Sequence, residues 1–194
     1  MSEEDVCTPL ILPEEAVPQD ARQCECCELY KQGTRMVWGE GNPQAPIMMI
    51  LDNPGAREDR AGQSFICGTR QTLQQGIREA GLTLDLIYVT YLLKRRPIRA
   101  YDKLVVRQSC LQHLHAQIET KKPLLLMGFG QVVQETLFPE QAEGDRHRSK
   151  AEWLVYQSIP ITFSYHPLAV RRRPNLRRRF LEDLRRLSDR YQQC

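Results

Sequence analysis

Two apolar runs that each break off into a proline turn constrain this chain more than any other feature. Residues 47–51 read Ile-Met-Met-Ile-Leu and lead into Asp52-Asn53-Pro54-Gly55. Residues 159–163 read Ile-Pro-Ile-Thr-Phe and lead into Ser164-Tyr165-His166-Pro167. A short unbroken apolar run bounded by turn residues reads as a strand buried on both faces. In an open α/β sheet, ligands bind outside the carboxyl ends of such strands. Asp52, Asn53, Phe65 and His166 are therefore expected to line one crevice. Three polar groups and one aromatic ring suit a planar, hydrogen-bonding ligand such as a base.

The segments between the two runs support a layered fold. Residues 69–80 have a helical period ended by Gly81, and residues 86–93 read as a second strand before the basic turn Lys94-Arg95-Arg96-Pro97. A long amphipathic helix is expected over residues 101–121 and a third strand over 123–127. Gly128-Phe129-Gly130 then opens a short helix to Leu137, and residues 139–151 form a charged loop. Residues 153–157 and 159–163 read as a hairpin or a bent strand pair. A last helix over 175–191 carries Phe180, Leu181, Leu184, Leu187 and Tyr191 on one stripe. Strands alternating with helices predict a three-layer α/β/α sandwich around a central, mainly parallel four-stranded sheet. Residues 1–23, rich in Pro and Glu, are expected to be an extended N-terminal extension, and residues 24–194 a single domain.

Charge is uneven. The formal net charge is +3, but the first 28 residues carry eight of the 24 acidic side chains, and residues 171–190 carry nine arginines against three acids. A basic C-terminal face follows, or simply a solvated helix face. No apolar stretch approaches the ~20 residues that span a bilayer, and the acidic start Met1-Ser2-Glu3-Glu4-Asp5 is no signal peptide. The expected location is the cytoplasm, with the seven cysteines reduced. Cys24-x-x-Cys27 has the spacing of metal ligands, with Cys110 as a distant thiol. The competing reading makes Cys110 a small core residue. His113, His115 and His147 fall on a helix and a loop and are given no role. Gly128-Phe129-Gly130 starts like a dinucleotide-binding turn, but the third glycine position is Val133.

Six blocks in order resemble the uracil-DNA glycosylase superfamily, and most of all its family 4, iron–sulfur type. The blocks are Cys24…Cys27; Gly39-Glu40-Gly41-Asn42-Pro43-Gln44-Ala45; the segment from Leu51 to Phe65; Tyr88-Val89-Thr90-Tyr91-Leu92-Leu93-Lys94-Arg95-Arg96-Pro97; Lys122-Pro123…Gly128; and Tyr165-His166-Pro167. The resemblance implies a DNA base-excision repair glycosylase that hydrolyses the N-glycosidic bond of uracil or a related deaminated base. It implies catalytic roles for Asp52, Asn53 and His166, base contacts from Phe65, Tyr91 and Gly55, and DNA contacts from Leu168, Arg171, Arg172 and Arg173. It also implies a 4Fe–4S cluster on Cys24, Cys27 and Cys110, and a monomer whose partner is DNA carrying a damaged base, with no membrane. Leu168 belongs to a turn that resembles the family's duplex-entering loop.

Four positions depart from the family pattern. Arg95 stands where the fourth cluster cysteine is expected, and a guanidinium cannot ligate iron. Tyr91 replaces the base-reading Asn, Asp52 is one methylene shorter than the family Glu, and Asn53 replaces Ala. Asn53 instead resembles the water-positioning Asn of the mismatch-specific and single-strand-selective branches. The alternative reading is a catalytically degenerate DNA-binding protein of the same fold; a third is an interaction module that does not bind DNA.

Overall fold

The structure, a computed structural model, describes residues 10–56, 68–142 and 153–194. In chain order its elements are β1 (Gly39–Gly41), β2 (Ile47–Leu51), α1 (Gly68–Glu79), β3 (Ile87–Tyr91), α2 (Lys103–Lys121), β4 (Leu125–Phe129), α3 (Gln131–Leu137), α4 (Pro139–Ala142), β5 (Leu154–Tyr156), β6 (Ile159–Ser164), α5 (Pro167–Arg172) and α6 (Arg177–Tyr191).

The fold class is α/β, but the sheet has six strands and is mixed, in the order β1-β3-β2-β4-β6-β5. The expected four-stranded parallel sheet is its centre, β3-β2-β4-β6, and β1 and β5 add antiparallel edges. The hairpin of β5 and β6 was expected, but β1 lacks the apolar signature of a strand. β1 is Gly-Glu-Gly, and β5 is only half-buried. The hairpin between β5 and β6 turns through Gln157 and Ser158, both in the left-handed region at φ 47° and 66°, the backbone of a two-residue turn that matches strand twist.

β2 lies between β3 and β4, and every residue in it is buried. Its side chains alternate between two cores. Ile47, Met49 and Leu51 meet Leu73 and Ile77 of α1 and Phe180, Leu184 and Leu187 of α6. Met48 and Ile50 meet Leu114 and Ile118 of α2 and Val133 and Leu137 of α3. Two packed faces explain why the central strands are apolar throughout rather than alternating.

Local chemistry sets the helix ends. Asp102 caps α2, its carboxylate accepting from the Leu104 and Val105 amides at 3.0 and 3.1 Å, so the helix starts two residues later than the hydrophobic period suggests. On α6 the buried face includes Asp183 and Ser188 beside Phe180, Leu184 and Leu187, while Leu181 is only half-buried. The Asp183 carboxylate accepts from Ser164 Oγ at 2.7 Å and pairs with Arg186. That bond ties α6 to the last residue of β6, two positions before His166. Among the described residues no helix is long and apolar enough to cross a membrane.

Candidate active site

The chain leaves β2 through α1 on one face of the sheet, and leaves β3 through α2 on the other. Connections that depart to opposite faces open a crevice at the carboxyl ends of the strands between them. A cavity of about 680 Å³ lies there. Asp52, Asn53 and Gly55, which follow β2, line it, as do Tyr91 at the end of β3 and His166 after β6. Leu168, Arg172 and Arg173 form its rim from α5 and the residue beyond. Eight of the residues expected at the site are thereby brought together. Arg171 is exposed and folds instead over Gly68, where a Cβ would stand 2.4 Å from its guanidinium carbon. Phe65 lies outside the described residues.

Backbone pairing beyond the strand ends holds the chemistry in place. Leu92 N donates to Leu51 O at 2.8 Å and Leu93 N to Asp52 O at 2.9 Å, so the main chain of Asp52 is fixed by β3. Gly130 N donates to Ser164 O at 2.9 Å and fixes the approach to His166. Gly130 has φ 88°, and a Cβ on it would lie 3.3 Å from the Cβ of His166. Gly130 thus serves the packing of His166 and Gly128 that of Phe163, not a dinucleotide.

His166 is the N-cap of α5, and its Nδ1 accepts from Leu168 N at 3.1 Å. In a neutral imidazole one nitrogen accepts and the other carries the proton, so the proton sits on Nε2. Nε2 points at Asp52 Oδ1, 3.2 Å away. Burial pushes the Asp52 carboxyl up. The hydrogen bond from His166, with the Asn53 amide donating at 2.8 Å, outweighs this and holds it below its ordinary range. Asn53 Nδ2 donates to Pro54 O at 2.8 Å, which fixes the amide so that Oδ1 is the accepting end.

The expected duplex-entering turn is helical. Leu168 sits in the first turn of α5 and is half-buried, because Pro167 at the first helical position and the His166 cap start a helix there. Two more cavity residues gave no sequence signal as a pair. Glu40 of β1 and Arg70 of α1 form an ion pair with both side chains largely shielded. Glu40 lies in a block quoted above, but nothing along the chain ties it to an arginine 30 residues on. Behind Tyr91, which is itself buried, Lys94 is fully buried. Its Nζ donates to Tyr91 O at 2.8 Å, Thr90 Oγ1 at 2.7 Å and Gln117 Oε1 at 2.5 Å. Burial lowers its pKa to about 7.

A sequence model described as the uracil DNA glycosylase superfamily matches residues 38–185. The chain belongs to the uracil-DNA glycosylase superfamily. Curated relatives named type-4 uracil-DNA glycosylase include one from Sulfurisphaera tokodaii, 29% identical over 90% of this chain and 83% of its own length. Another, from Pyrobaculum aerophilum, is 29% identical over 84% of this chain and 87% of its own. A third, from Thermotoga maritima, is 28% identical over 88% and 90%.

The thiols expected to hold a metal meet on α2. The Cys27 and Cys110 thiols interact, which draws Cys27 down to about 6 and pushes Cys110 up. Cys24 Sγ lies 3.1 Å from His113 Nε2. Arg95 turns to the backbone, with Nη1 donating to Thr34 O at 2.5 Å. Among the described residues no three His, Cys, Asp or Glu side chains close on one point as a metal centre requires.

Proposed function

We propose that the chain is a DNA glycosylase that hydrolyses the N-glycosidic bond of uracil or a related deaminated base during base-excision repair. The observation that carries this reading is the Asp52–His166 pair across the crevice, with the imidazole proton held on Nε2. The membership of the chain in the superfamily and the names of its relatives support it.

Chemistry on a base requires its removal from the stack. In this reading the flipped base occupies the cavity, with Phe65 as the stacking ring and Tyr91 and Gly55 along its edge. Asn53 Oδ1 orients a water toward the sugar C1′, and Asp52, ionised because its pKa is lowered, takes the water's proton. As the water oxygen bonds to C1′, the electrons of the breaking C–N bond pass to the base. His166 Nε2–H donates to the oxygen on which that charge develops. Leu168, Arg171, Arg172 and Arg173 bind the DNA, the arginines through its phosphates rather than its bases. No step runs through the 4Fe–4S cluster that the resemblance implies for Cys24, Cys27 and Cys110, whose side chains form no metal-holding group among the described residues. The domain spans residues 24–194 behind an extension of 23 residues and acts as a cytoplasmic monomer.

Tyr91 favours a second reading, a catalytically degenerate DNA-binding protein, because a buried phenol occupies the pocket wall where the family pattern has an amide. Alkaline strand cleavage separates the two. Purified protein is incubated with single- and double-stranded oligonucleotides carrying uracil, hypoxanthine or xanthine. A glycosylase leaves abasic sites on one of them, and Asn53→Ala slows their formation roughly 100-fold or more. Tyr91→Asn is expected to raise discrimination for uracil by about 1–3 kcal/mol, the worth of a bidentate base contact. Binding without abasic product on every lesion refutes the glycosylase.

A further inference from the structure

The excision chemistry leaves one polar pair of the cavity unused, Glu40 and Arg70. Its placement follows from β1 and α1. A Cβ on Gly39 would stand 2.2 Å from the Tyr88 hydroxyl, and one on Gly41 2.6 Å from the Ile87 carbonyl oxygen. Both glycines therefore face that side of the sheet, and alternation turns Glu40, between them, to the other. Glu40 pairs with Val89, and Val89 and Tyr91 share one core. Tyr91 is thus the diagonal cross-strand neighbour of Glu40, within reach of a long side chain. Arg70 stands three and seven positions before Leu73 and Ile77, on the stripe that α1 packs against the sheet. Its Nη2 meets Glu40 Oε2 at the cavity wall.

Only 6% of the Glu40 side chain and 11% of that of Arg70 is exposed. A pair so shielded costs more desolvation than apolar residues of the same size would, so packing alone does not account for it. Its chemistry suits the edge of a base. A carboxylate accepts at about four positions and a guanidinium donates five N–H groups, so each can bind the other and a third group. Tyr91 holds the position of the family's amide, and a single hydroxyl cannot face two neighbouring groups of a base edge as an amide does.

We infer that Glu40 and Arg70 read the edge of the flipped base, Glu40 accepting from the ring N–H and Arg70 donating to the adjoining carbonyl. Uracil and hypoxanthine share that N–H and C=O. Cytosine and adenine present a bare ring nitrogen and an amino group in the same two places, which would oppose lone pair to carboxylate and amine to guanidinium. The pair therefore selects the deaminated bases over those two parents. This inference rests on the placement of the base in the cavity proposed above.

The test titrates the full chain with single-stranded oligonucleotides carrying 2′-fluoro-2′-deoxyuridine or 2′-fluoro-2′-deoxycytidine. The fluorine makes the glycosidic bond resist hydrolysis, so binding is read whether or not the chain excises a base. The wild type is expected to bind the uracil oligonucleotide about 10-fold or more tighter than the cytosine one. The exchange Glu40→Arg with Arg70→Glu keeps the ion pair but reverses donor and acceptor, and is expected to invert that preference. Glu40→Gln with Arg70→Met removes both charges together, a change that buried pairs tolerate, and is expected to bring the two affinities within about threefold of each other. Equal binding by the wild type overturns the inference. An unchanged preference in either double variant does so too, and leaves the pair as a strut between β1 and α1. Should one variant fail to fold, the other decides. Absence of abasic product from the wild type on uracil refutes excision and leaves the affinity ratio to judge the pair.

Discussion

His166→Ala is expected to lower the rate of base excision by about 100- to 1000-fold, the usual effect of deleting one preorganised donor to a developing oxyanion. Leu168 N takes up Nδ1 and so leaves Nε2 as the donating nitrogen, and Gly130 leaves no room for a side chain beside the His166 Cβ. Donor and orientation are therefore set before the base arrives. Single-turnover measurement at saturating oligonucleotide isolates this term from DNA binding. A loss that appears only in the binding constant would remove His166 from the chemistry.

The same variant has a signature in acid. His166 is the chief group that holds the Asp52 carboxyl down, against burial that pushes it up. A depressed carboxylate stabilises the fold above its unfolded pKa, here 3.8, and that stabilisation is lost as pH falls through the lower folded value. Without His166 only backbone amides oppose burial, so the Asp52 pKa rises and the protonation step moves to higher pH. Stability as a function of pH, measured for both proteins, is expected to show the acid limb of His166→Ala displaced upward. Coincident limbs would mean that the 3.2 Å contact does not hold the carboxylate down.

Phe180→Ala is expected to destabilise the fold by about 3–5 kcal/mol, the usual cost of emptying a buried aromatic site. Phe180 is 1% exposed and lies 6.1 Å from the Phe129 ring of β4, centroid to centroid. Its other side covers Gly76 of α1, where a Cβ would meet it at 2.5 Å. One ring thus joins α6, the sheet and α1, and no neighbour can follow it inward without breaking one of those contacts. Urea denaturation would show a lower midpoint at unchanged slope. A shift under 1 kcal/mol would mean that the site collapses and that α6 is not held by this ring.

The arginine-rich α6 shows how far a one-dimensional pattern reaches. Its apolar stripe placed Phe180, Leu184 and Leu187 correctly, because a 3.6-residue period is a property of the helix alone. Asp183 defied the stripe. A carboxylate can be buried only with partners, and those are Ser164 and Arg186, the first on a strand. The edge strand β1 failed for a similar reason. β1 is held by pairing with β3, not by any preference of Gly-Glu-Gly for extended backbone.

The sequence by itself determined the parallel centre of the sheet and the ends of its strands, since unbroken apolar runs and proline turns are local signals. Asp52, Asn53 and His166 were legible as site residues because each sits directly after such a run. Tertiary structure alone decided what those residues touch. The tautomer of His166 follows from an amide two residues on, and the lowered Asp52 pKa from a ring 114 positions away. The Glu40–Arg70 pair and the meeting of His113 with Cys24 join residues that nothing along the chain connects. Such contacts depend on how α1 and α2 lie against the sheet and the N-terminal segment. That geometry is set by the packing of both cores at once, which no local signal carries.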